Sequence, residues 1–276
     1  MTGSPLRRRG RGRAGALLAL LMLAPAGGAE SAPDPRTLAL PGGESLAFRW
    51  VPPGSGWRGS EAGEAGRDGD EGPRHRVTLS RGFHLGVHEV TQAQWTAVMG
   101  RNPAVFRHGP EAPRRPVESV SWEDCQAFIA RLAALGVGRF RLPTEAEWEH
   151  AARAGSGARF PWGDDPGGTT THRHAWANSR SLAVTHPVGL KPPNAWGFHD
   201  LHGNVWEWCA DWYGPYAAED QTDPTGPATG RERVFRGGSW FDFPPSLRSA
   251  NRHRHPPDGR YAAVGLRLVW EPEVRP

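Results

Sequence analysis

Apolar and polar positions alternate along residues 46–51, so that Leu46, Phe48 and Trp50 share one face of a strand. Two more short strands are expected over residues 76–79 and 83–87, joined by a turn at Ser80-Arg81-Gly82. The period then changes. Thr91 and Gln94 form a capping box that starts a helix through Trp95 and Met99, which Gly100 stops. Ser121 and Asp124 open a second helix, with Cys125, Phe128, Ile129 and Leu132 at three-to-four spacing on one face and an end before Gly136. Thr144 and Glu147, after Pro143, open a third, which carries Trp148 and Ala152 one turn apart and a Glu149–Arg153 pair and stops at Gly155. The carboxylates of this segment read as helix-start chemistry. Residues 54–72 read as a long acidic loop, and 156–199 and 213–230 as loops rich in Gly and Pro. Val234-Phe235-Arg236 is expected as a strand, and Val264, Leu266 and Leu268 alternate in a last one. Short strands, a few helices and long loops make an α+β domain.

The stretch with most chemistry is Phe198-His199-Asp200-Leu201-His202-Gly203-Asn204-Val205-Trp206-Glu207-Trp208. Asp200 and Glu207 supply carboxylate oxygens on either side of a glycine turn, and a hard cation such as calcium takes several oxygens at about 2.3–2.6 Å. Trp206 and Trp208, two apart, share a face of an extended backbone. The same residues also read as a glycine turn entering a strand whose tryptophans are core.

Gly203-Asn204-Val205-Trp206-Glu207-Trp208 resembles the signature of the formylglycine-generating enzyme, or sulfatase-modifying factor, family. Glu89-Val90-Thr91-Gln92, residues 141–149 (RLPTEAEWE), Arg236-Gly237-Gly238-Ser239-Trp240 and Gly265-Leu266-Arg267 match in the same order, so the resemblance runs from about residue 40 to 270. It implies the complex, loop-rich variant of the C-type lectin fold, as a single domain over residues 30–276. In the family's enzymes two cysteines after Gly-Gly-Ser bind copper and oxidise a substrate cysteine to formylglycine. Here those places hold Asp242 and Leu247, while Cys125 and Cys209 lie in other motifs. Copper(I) selects thiolate or thioether ligands, so copper is not expected and no catalytic residue is assigned. The resemblance further implies a calcium site at Asp200, Gly203, Val205 and Glu207, two by side chain and two by carbonyl, and a second beginning at Asn178. Where the family usually carries Met-Gly-Ser, this chain has Arg58-Gly59-Ser60.

Composition changes the picture in two places. The formal charge of +4 arises in the first 26 residues, which hold five arginines and no acid; without them 28 basic residues face 29 acidic ones. Nothing there favours nucleic acid as a partner. Residues 1–29 have the form of a signal peptide, with an arginine-rich start, the apolar run 16–24 and a small-x-small site at Ala24-Pro25-Ala26. That run is too short to cross a bilayer, so an exported protein, periplasmic or secreted and not transmembrane, is expected. Export permits a disulfide, but Cys125 and Cys209 read as buried free thiols ahead of a pair.

The expected function is a calcium-supported module that binds a protein, peptide or glycan through Trp206, Ser239, Trp240, Phe241, Asp242, Phe243, Arg252, His253, Arg254, His255 and Tyr261. Aromatic and Arg anchors dominate interface energetics, and Pro244, Pro245, Pro256 and Pro257 stiffen the loops that carry them. The two histidines of Arg252-His253-Arg254-His255 read as surface lining rather than as a zinc site. Two alternatives stand beside this reading. One is an authentic oxidase of sulfatase cysteines. The other is a variable receptor of the retroelement-diversified kind, whose variation would fall at Phe241, Asp242, Phe243, Ser246, His253, His255, Gly259, Tyr261 and Ala262.

Overall fold

The computed structural model describes Met1 and residues 35–136, 138–178 and 181–271. The expected leader, residues 1–29, lies outside the described residues apart from Met1. The described residues from 35 to 271 form one compact unit. Its strands are β1 Arg36–Ala39, β2 Ser45–Val51, β3 Gly54–Arg58, β4 His75–Leu79, β5 Phe83–Gly86, β6 Arg139–Arg141, β7 Trp206–Trp212, β8 Gln221–Thr222, β9 Arg233–Arg236, β10 Arg252–His255, β11 Val264–Gly265 and β12 Val269–Glu271. They assemble as β1-β2-β5-β12-β6, as β10-β9-β7-β11 and as β3-β4-β8.

The helices α1 Gln92–Met99, α2 Trp122–Ala133 and α3 Glu145–Arg153 start where the capping boxes place them. Each cap hydroxyl accepts from the third helical N–H, and the residue at that position returns a bond to the cap backbone. Gly100 ends α1 in the left-handed region at φ 74°; α3 ends one residue sooner than expected, at Ala154. A single turn, α4 Thr171–His174, interrupts the loop over 156–199.

Two expectations are corrected. Residues 54–72 are not all loop: β3 pairs antiparallel with β4 from Gly54↔Leu79 to Arg58↔His75, and Gly69–Glu71 forms a short helical turn. The last strand is split. β11 lies parallel to β7, and β12 runs antiparallel to β5 and β6 in a different sheet. The switch falls at Arg267, whose guanidinium is fully buried against Glu207; a buried charge is tolerated only when paired and hydrogen-bonded.

Trp206 and Trp208 both belong to the main core, with Trp95, Phe128 and Leu266, so the core reading of that strand holds. Gly203 precedes them at φ 95°, and a Cβ there would meet the Trp176 carbonyl at 2.3 Å. Cys125 and Cys209 are buried, unpaired thiols in separate core clusters.

Candidate functional site

The loop after β9 is built around Asp242. Its Oδ2 accepts from the Trp206 indole N–H at 2.8 Å and from Ser239 Oγ at 2.5 Å, and Ser239 Oγ accepts in turn from Phe241 N. Asn178 clamps the loop from outside: its backbone N–H donates to Asp242 O at 3.0 Å and its amide to Phe241 O at 2.8 Å. Ser181 Oγ donates to Trp240 O, and the Trp240 indole to Ala262 O. With its backbone held this way, the loop carries Phe241 and Phe243 outward at 63% and 64% exposure.

Strand β10 extends this face by its period of two. His253 lies edge-on to Trp206 at 5.6 Å, and His253 and His255 stack on Phe235. His255 also stacks on Tyr261 at 4.2 Å and hydrogen-bonds its hydroxyl. The alternate residues leave that face. Arg252 is buried on Glu145, and Arg254 bonds Glu232 and lies over Tyr213. Of the expected surface residues, the structure thus brings together Trp206, Ser239, Trp240, Phe241, Asp242, His253, His255 and Tyr261, with Phe243 on the same loop. Arg252 and Arg254 lie apart, and Trp206 contributes from the core side. Leu247 is fully buried with Phe160 and Ala177.

Asp200 and Glu207 sit beneath this face in a buried carboxylate group. Glu207 accepts from Arg267 at 2.7–3.0 Å and from the Trp148 indole at 2.7 Å. Asp200 Oδ2 accepts from Gly189 N, whereas its Oδ1 is buried without a hydrogen-bond partner. Glu89, which the sequence reading used only as a motif letter, is fully buried with both oxygens unpartnered among the described residues. Burial pushes its carboxyl well above the usual range, and the neighbouring Asp200 and Glu207 add to this. Burial likewise raises Asp200. Three carboxylates therefore face one guanidinium. Among the described residues no three His, Cys, Asp or Glu side chains close around one metal position. Glu89 and Asp200 nevertheless leave three buried oxygens free, the donor type a hard cation takes, while Glu207 is committed to Arg267. Asn178 bonds the Asp242 loop instead. The signal available for Glu89 was an acid set directly before the apolar Val90 and the cap residue Thr91.

The sequence reading also missed a network around Glu145. Its carboxylate accepts from Arg58 at 2.6 Å, from Arg252 twice at 2.7 Å, from Arg236 at 3.4 Å and from the Tyr216 hydroxyl at 3.1 Å. Burial alone would raise its pKa, but the three guanidiniums hold it below the usual carboxylate range. Glu149 pairs with Arg153 and Arg236. Burial, with the Glu145 charge beside it, pushes Asp211 up to about 7. The available signal was arginine at position 58, where the resemblance expects methionine.

Residues 35–272 match the sulfatase-modifying factor enzyme 1-like domain. The chain is similar to the formylglycine-generating enzyme of Streptomyces coelicolor, at 40% identity over 177 residues that cover 59% of this chain and 54% of that one. It is similar also to that of Thermomonospora curvata, at 37% over 201 residues covering 66% and 63%. It thus spans between half and two thirds of the length of these curated relatives. Among solved structures it resembles Treponema denticola variable protein 1, with a TM-score of 0.79, 29% identity and coverage of 87% of this chain and 100% of that one. PvdO from Pseudomonas aeruginosa follows at 0.73, 30%, 86% and 99%. These neighbours share the C-type-lectin-like fold that the motifs imply. The chain belongs to the sulfatase-modifying factor, or formylglycine-generating enzyme, family.

Proposed function

We propose that this protein is an exported ligand-binding member of the family that works without the copper and cysteine chemistry of the oxidases. The observation that carries the reading is the Asp242 loop. At the two places where the resemblance puts thiols, Asp242 is tied to Ser239 and Trp206, and Leu247 is closed into the core. The same loop offers Phe241 and Phe243 to solvent on a backbone that is already held. Such preorganisation lowers the entropy lost on binding. Exposed aromatic anchors of this kind suit a protein or peptide better than a glycan. Export rests on the form of the leader.

Calcium belongs to the proposal as a structural ion. Glu89 and Asp200 would hold it, and its charge would offset the surplus of buried carboxylates that Arg267 alone does not balance. The likeness to Treponema denticola variable protein 1 favours a second reading, a receptor whose ligand-facing residues vary.

The test has two arms. A displayed peptide library and a glycan array are screened with the wild-type protein and with a Phe241→Ala/Phe243→Ala variant that keeps its melting curve. A peptide ligand that weakens at least about tenfold, roughly 1.4 kcal/mol, supports the reading, and glycan binding alone overturns the protein-or-peptide assignment. In the second arm, a Cys-x-Pro-x-Arg peptide is incubated with the protein and copper. Loss of the thiol and gain of an aldehyde by mass spectrometry would restore the oxidase reading.

A further inference from the structure

A cleft of about 330 Å³ lies between β3 and α3, away from the Asp242 face. Its origin can be read in the strand. Side chains on one face of a strand recur every second residue, and on the face of β3 turned to α3 those residues are Gly54, Gly56 and Arg58. A Cβ at Gly54 would stand 3.7 Å from the His150 ring, and one at Gly56 3.5 Å from it. The two glycines therefore leave a trench along His150 that ends at a guanidinium. Trp196 closes one side, edge-on to His150 at 5.0 Å, and Trp57 stands at the mouth, 43% exposed. The lining is mainly apolar with a few polar groups, and the volume falls at the lower end of small-molecule sites.

The cationic end of the trench has donors to spare. Arg58 is buried, yet it makes a single hydrogen bond to the described residues, from one terminal nitrogen to Glu145, and its Nε has no partner. A buried donor without an acceptor calls for a missing water, ion or ligand. The surrounding charge points to an anion. Four guanidiniums, Arg58, Arg153, Arg236 and Arg252, share the two carboxylates Glu145 and Glu149. Asp211 beside them, pushed up to about 7 by burial and by Glu145, offsets at most one further charge. At the mouth, the exposed Arg76 lies 5.4 Å from the Trp57 ring and forms no ion pair among the described residues.

We infer that this trench binds a small organic carboxylate with an aromatic or otherwise apolar body, the carboxylate on Arg58 and the body between His150, Trp196 and the glycine floor. Arginine suits the head group because its planar fork matches a carboxylate. A free small molecule fits the enclosed volume, and the site is independent of the Asp242 face and of the function proposed for it.

The test is a ligand-observed NMR titration of the full chain with phenylacetate and with its neutral isostere phenylacetamide. Phenylacetate is expected to bind on the order of 1 mM, a fair value for a ligand of that size, and phenylacetamide at least tenfold more weakly. Arg58→Met should remove the distinction between acid and amide. Gly56→Leu, at a position with ordinary backbone geometry, should fill the trench and abolish binding of both without moving the melting curve. If Arg58→Met does not fold, the acid–amide comparison and Gly56→Leu decide between them. The inference is overturned by absence of saturable phenylacetate binding up to about 10 mM, by equal affinity for acid and amide, or by wild-type affinity in Gly56→Leu.

Discussion

Arg267 reaches Glu207 with two nitrogens at 2.7–3.0 Å, and both side chains are fully buried. The pair ties β7 to the point where the chain leaves the sheet of β11 for that of β12. Arg267 also donates to the Gly86 and His199 carbonyls, so one guanidinium holds four segments together. Removing one partner leaves an uncompensated buried charge, which costs about 3–5 kcal/mol. Arg267→Met should therefore destabilise by that amount in urea unfolding. Adding Glu207→Gln should recover part of the loss, because the double variant no longer leaves the Glu207 carboxylate without its partner. Additive losses in the double-mutant cycle would show that the pair is not coupled.

The calcium proposal makes an asymmetric prediction. Glu89 has two buried oxygens without partners, so Glu89→Gln should be more stable than wild type in chelator, by about 1–3 kcal/mol. In excess calcium the order should reverse, since a ligand at a hundredfold over its Kd stabilises the native state by about 2.7 kcal/mol. Asp200→Ala should lose the calcium response altogether. Melting curves of the three proteins with and without the ion decide; a wild-type curve that chelation leaves in place removes the metal.

What could be read in advance depended on how local the determining chemistry was. Thr91, Ser121 and Thr144 cap their helices with groups three residues away, so their role is written in the sequence. Val234-Phe235-Arg236 and residues 46–51 declare strands by alternation. Strand β3 does not, because Gly54 and Gly56 carry no side chain to alternate, and its partner β4 is set by pairing beyond the turn of 69–71. Arg58 and Glu145 meet across 87 positions of chain, and no spacing rule connects them. The Asp242 face was legible as a set of residues, but β10 turns Arg252 and Arg254 away from it. That follows from which neighbours each face of the strand finds, charge on one side and Phe235 on the other.

Asp211 sets a pH dependence whose sign can be worked out. Its folded pKa, about 7, lies above the ordinary carboxylate value through burial and the Glu145 charge. The native state therefore holds the proton more tightly than the unfolded chain. Between about pH 4 and 7 the unfolded state binds fewer protons, so this group's contribution to stability falls as pH rises, and the cost is complete above 7. Asp211→Asn keeps an acceptor for the Glu145 N–H and removes the titration. The stability difference between variant and wild type should grow from near zero at pH 4 to a few kcal/mol at pH 8. The difference matters more than either curve, because His202, lowered to about 4 by burial, acts in the opposite sense as pH falls. A difference that stays flat from pH 4 to 8 would place the Asp211 pKa in the ordinary range.

The last prediction separates the loop's frame from its contacts. Asp242→Ala leaves the Trp206 indole N–H, itself in the core, without its acceptor; an orphaned buried donor costs about 1–3 kcal/mol. Ser239 loses its partner as well. Asp242→Asn retains a carbonyl oxygen for both and should cost less than half as much. Phe241→Ala and Phe243→Ala remove exposed rings and should change stability by no more than about 0.5 kcal/mol. Binding should rank differently. The two Phe variants lose affinity through contact, mainly as faster dissociation, whereas Asp242→Ala loses it because the free loop must be ordered on association. Kinetics of a captured ligand at an immobilised surface read both at once. If Asp242→Ala binds as tightly as wild type while its stability falls, the Ser239–Asp242–Trp206 group supports the core alone and the ligand face does not depend on it.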